Sequence, residues 1–91
     1  MNNKIEKLFY IYLDVFGVLK NSLSDANEED KKNIIYQMKV IKSLLCGLAI
    51  VLDKKVIQDK VYQNIKNMLE DKPVEYNTLN DSDVVDFEVY E

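Results

Sequence analysis

Apolar residues recur at alternating spacings of four and three near the start of the chain, at Ile5, Phe9, Tyr12, Phe16, Leu19 and Leu23. A seven-residue repeat of this kind keeps one side of an α-helix turned toward a single neighbour. It predicts a helix over roughly residues 3–22. A second apolar row, Leu8, Ile11, Val15 and Val18, runs beside the first, while Asn3, Lys7, Tyr10, Asp14 and Asn21 mark the wetter side. So wide an apolar face needs more than one neighbour to cover it. Left bare, it would be a larger patch than a soluble monomer normally carries, so Leu8, Ile11, Val15 and Val18 are expected to form a homodimer seam.

The same spacing returns at Ile34, Met38, Ile41, Leu45, Leu48 and Leu52 and predicts a second helix. Ahead of it, Ser24 or Asp25 offers a side-chain oxygen to the free amides of the first turn, and Asp25 with Glu28 has capping-box spacing. Glu28, Glu29 and Asp30 then sit at the positive end of the helix dipole. Leu44 to Leu52 holds no charged residue, which predicts neighbours on several sides. Lys31, Lys32, Lys39 and Lys42 crowd the first half. Beyond Leu52 the pattern loses phase, since continuing it would bury Lys55, Asp59 and Lys66. A new stripe runs Ile57, Val61, Ile65 and Met68, with Tyr62 and Leu69 beside it, so a break is expected near Asp53 to Lys55. The third helix should end by Lys72, because Pro73 disfavours helical geometry before it and has no amide to donate.

Charge separates the chain into two parts. Residues 1–72 carry twelve lysines against ten carboxylates, about +2, whereas residues 73–91 carry six carboxylates and no base. The expected fold is all-α: a compact three-helix bundle over residues 1–72, followed by an extended or strand-like acidic C-terminal tail over residues 73–91. In that tail Val85, Phe87 and Val89 alternate with Asp86 and Glu88, giving an extended segment one apolar face. It could stay solvated, clamp onto the helices, or add a strand to a partner's sheet. Val85, Asp86, Phe87, Glu88, Val89 and Tyr90 are the residues expected to bind a protein partner.

Chemistry is restricted by what is missing. The chain has no histidine, arginine or tryptophan, so it lacks the usual base near neutral pH, the commonest metal ligand and the bidentate guanidinium fork. Asp14, Asp53 and Asp59 are placed on no common face by their spacing. Cys46, the single cysteine, has no histidine to activate it and reads as a small buried hydrophobe. Asn80 to Glu91 has the length of a calcium loop, but Val84 and Val85 stand where an oxygen ligand and the turn glycine belong. No enzyme activity, cofactor or metal is therefore expected.

Gly17 and Gly47 fall inside apolar helical runs, where glycine costs about 1 kcal/mol relative to alanine. Close approach of two backbones would account for them. One cysteine without a disulfide partner points to a reducing compartment, and no signal-peptide organisation precedes Leu8, so a cytoplasmic setting without membrane attachment is expected. Abundant lysine, isoleucine and asparagine fit an AT-biased genome of bacterial or phage type. Together these features point to a small regulator or inhibitor that occludes an unidentified protein partner. The alternative is a nucleic-acid link, through the helix-two lysines or through a tail that imitates a phosphate backbone. A net charge of −4 opposes the lysine route.

Overall fold

In the computed structural model, residues 2–56, 59–74 and 87–90 are described. Three helices lie among them: α1, Asn2–Leu23; α2, Glu28–Val51; and α3, Lys60–Leu69. Two short strands, β1 (Lys55–Val56) and β2 (Val89–Tyr90), complete the order. The all-α arrangement follows the periodicity. Phe9 and Phe16 of the first stripe and Met38 and Leu45 of the second are buried, and Tyr12, Leu19, Leu23, Ile34, Ile41, Leu48 and Leu52 pack against them.

A four-residue turn, 24–27, reverses the chain between α1 and α2. Because the turn is short, the two helices lie antiparallel, and Lys54, just past the end of α2, reaches Tyr10 near the start of α1. The cap of α2 is Asn27, whose side chain accepts from the Asp30 amide at 2.8 Å. Neither Ser24 nor Asp25 fills that role. α1 runs on to Leu23, so those residues are spent in the reversal, and the Ser24 hydroxyl donates back to the Asn21 carbonyl. Glu28, Glu29 and Asp30 do occupy the first turn of α2.

The break after Leu52 has a definite geometry. Asp53 adopts φ 59°, the Asp53 amide donates to the Ile50 carbonyl, and the Lys54 amide donates to the Ala49 carbonyl at 2.8 Å. These are the two bonds of a Schellman stop, with aspartate in the left-handed position that glycine usually takes. α3 ends in the same way: Asp71 has φ 62°, and the Lys72 amide donates to the Asn67 carbonyl at 2.8 Å. The sequences Leu52-Asp53-Lys54 and Glu70-Asp71-Lys72 thus close two helices by one device.

The core departs from the helical stripes at two points. Tyr62 is buried, and Val61 and Ile65 pack on the core, but Met68 and Leu69 are exposed. α3 has only ten residues, about 15 Å of helix, and its last turn is left in solvent. Ile57 lies outside the described residues. The helical stripes also fail to complete the core by themselves. β2 pairs antiparallel with β1, Val56 opposite Val89 and Lys55 opposite Tyr90, and Phe87 and Val89 pack against the buried cluster. The Phe87 ring lies 5.8 Å from that of Phe16.

Candidate interaction face

α2 is long and apolar enough to cross a membrane by length and composition, with a mean hydropathy of 1.7 over its most apolar stretch. In this fold one side of it is buried, through Met38, Lys42, Leu45, Cys46 and Ala49. The lysine in that set is neutralised locally. Lys42 Nζ lies 3.1 Å from Asp59 Oδ2, each side chain 3% exposed. The other carboxylate oxygen, Oδ1, accepts from the Val61 amide at 2.9 Å and the Tyr62 amide at 3.3 Å. Asp59 therefore caps α3 with one oxygen and ties it to α2 with the other.

Lys54, itself buried, makes a second polar contact. Its ammonium donates to the Tyr10 hydroxyl at 3.1 Å and lies 5.8 Å from the Phe9 ring centre, within cation–π range. Cys46 sits one turn beyond Lys42. Burial, and next the Asp59 carboxylate, push its thiol well above the ordinary range, with Lys42 opposing. It is a buried hydrophobe with no thiolate to offer. Around α3, an open groove of about 500 Å³ is lined by Asp59, Gln63, Asn64, Asn67 and Pro73; its carboxylate already serves Lys42 and the helix cap. Among the described residues, no group of three or more Cys, Asp or Glu side chains is placed to hold a metal ion.

The opposite side of α2 is open. Val40, Leu44 and Val51 are 44–63% exposed, and Tyr36, on the same row one turn earlier, is more exposed still. The charge-free stretch Leu44 to Leu52 is thus covered on one flank and bare on the other, because α3 packs on the Lys42 side. On α1, the row Leu8, Ile11, Val15 and Val18 is 40–59% exposed. The structure leaves uncovered the row from which the seam was predicted.

Both rows belong to one face. Ser22 continues the α1 row, four residues after Val18, and Asn33 and Gln37 lie seven residues before Val40 and Leu44 on α2. These three residues line one groove between the helices, with Asp25 and Asp30. Lys20 and Lys31 line a different groove, with Leu23 and Ile35. The turn therefore segregates its charges, acids toward the apolar rows and these two lysines away from them.

Comparison with family models, with curated proteins and with solved structures returns no match.

The tail residues divide unevenly. Val85 and Asp86 lie outside the described residues, as does most of Asn80 to Glu91. Glu88 is exposed, Phe87 and Val89 are half-buried on the chain's own core, and Tyr90 contributes its backbone to the ribbon. Of the four lysines grouped on the first half of α2, Lys42 is enclosed with Asp59, Lys31 and Lys39 are half-buried, and Lys32 is exposed. A hypothetical Cβ on Gly17 or Gly47 meets nothing within 4 Å, so close approach within the chain does not account for either glycine. Sequence reasoning missed the Lys42–Asp59 pair. Its signal was the phase shift after Leu52, which placed Asp59 on a core row.

Proposed function

We propose that this chain is a non-enzymatic protein–protein interaction module, a small cytosolic regulator or inhibitor that acts by occluding its partner. The observation that supports this is the continuous apolar face of α1 and α2, carrying Leu8, Ile11, Val15 and Val18 beside Val40, Leu44 and Val51, all substantially exposed. These residues leave on the order of 600 Å² of mostly apolar surface in water, at the upper end of the roughly 300–600 Å² of the largest patch on a typical monomer, a size that is often functional. This face, rather than the apolar residues of the tail, is the docking surface. Phe87 and Val89 serve the fold, and the tail carboxylates steer encounter through charge, an effect that weakens with salt.

The test is retention of a partner from source cytosol by immobilised full-length protein and three variants. Val15→Lys and Leu44→Lys should each abolish retention, while Asp86→Asn combined with Glu88→Gln should weaken it only at low salt. Retention that survives both lysine variants but disappears with the tail neutralisation would transfer the role to the tail and favour imitation of a nucleic acid.

A further inference from the structure

We infer that the occupant of the α1/α2 face is a second copy of this chain, docked face to face with its hairpin reversed. The inference rests on the reading of that face as a docking surface and adds what covers it, and in which orientation, until the occluded protein displaces the second copy.

Charge placement along the face carries it. At the turn end, Asp25 and Asp30 line the groove on the apolar side, and Glu29, exposed, precedes Tyr36 by seven residues on the same row; Lys32, exposed and four residues before Tyr36, offsets one of these three carboxylates and leaves that end net acidic. At the open end, Lys4 is exposed and continues the α1 row four residues before Leu8. The face is thus acidic at its turn end, apolar along its length and basic at the start of α1. A two-fold axis lying in the interface, perpendicular to the helices, sets each copy's Lys4 end over the other's acidic turn. An axis parallel to the helices would stack like ends together and lose that match. Self-complementarity under a two-fold is what an isologous interface requires.

Area agrees. The apolar rows alone, on the order of 600 Å², supply most of the roughly 800 Å² per partner of a standard stable interface. A membrane surface fits less well. Helices that lie on bilayers are rich in lysine or arginine on their polar margin, whereas this face mixes Lys4, Lys7 and Lys32 with Asp25, Glu29 and Asp30 on a chain of net charge −4.

Sedimentation equilibrium of the full chain between about 1 and 100 μM should show a monomer–dimer equilibrium, and Val15→Lys or Leu44→Lys should weaken it by ~100-fold or more. Helical circular dichroism of each variant should match the wild type, since both positions are exposed. Orientation is tested by charge exchange. Lys4→Glu should weaken the dimer roughly 5- to 10-fold, and adding Glu29→Lys should restore it. A monomer throughout that range overturns the inference. So does a dimer indifferent to Leu44→Lys, or pelleting with phosphatidylcholine vesicles that Leu44→Lys abolishes. Failure of the broader reading is distinguishable: a monomer whose retention of another protein still depends on Leu44 removes only the second copy, whereas indifference in both assays removes the face.

Discussion

The two sides of α2 invert the usual rule. The side packed toward α3 holds a lysine in its buried set, and the side left to water holds Val40, Leu44 and Val51. What decides burial is the availability of a partner. Lys42 can be enclosed because Asp59 arrives with one oxygen free after capping α3, whereas hydrocarbon on the far flank meets no second layer within the chain.

The sharpest way to break this contrast is Lys42→Met. It leaves the Asp59 carboxylate buried without its cation and should cost about 3 kcal/mol or more, read as a lower urea midpoint. Adding Asp59→Asn keeps a good helix cap and removes the stranded charge, so most of the loss should return. Cys46 reports the same region. In the native protein it should resist thiol reagents and become labelled when Lys42→Met opens the core. Because burial raises its folded pKa, the unfolded thiol loses its proton first. The stability it contributes is therefore complete below 9.0 and is lost as pH rises above that value. Cys46→Ala should flatten that alkaline decline.

Phe87→Ala comes next. The ring is half-buried against Phe16, so truncation should cost about 1–2 kcal/mol, less than the 3–5 of a fully buried phenylalanine. A thermal midpoint unchanged by this variant would return Phe87 to an external partner. Asp53→Gly should stabilise by up to about 1 kcal/mol by relieving the left-handed aspartate at the end of α2. Smallest is Leu44→Lys on the open flank. It should leave the stability of the monomeric fold within about 0.5 kcal/mol, and a large loss there, at concentrations where the chain is monomeric, would show that the flank is covered from within the chain.

Period and phase made much of the fold legible. The α1 and α2 stripes, the break after Leu52 and the bare row from Leu8 to Val18 all follow from apolar spacing, which reports which residues share a helix face. Spacing reports nothing about pairing between distant segments. Lys42 read as one more solvated lysine because its partner stands seventeen residues away across a chain reversal. Phe87 and Val89 carried an alternation that announced extended backbone, but not whether the paired edge belonged to this chain. The α2 half of the open face was obscured for a related reason: an uncharged run announces burial, and only the position of α3 shows which flank goes without.

The ribbon between Lys55–Val56 and Val89–Tyr90 has a consequence for how the molecule opens. It joins the chain just before α3 to the chain well after it, so α3 lies inside a closed loop whose clasp is only two residues wide. Closing such a loop has an entropic cost that grows only slowly with its length, and a clasp so short releases more readily than the α1–α2 hairpin. Once it parts, Phe87 leaves Phe16, and α3 is held by Tyr62, Val61, Ile65 and the Asp59 contact. Amide exchange should therefore reveal one cooperative unit, comprising the ribbon and α3, that opens while the hairpin stays protected.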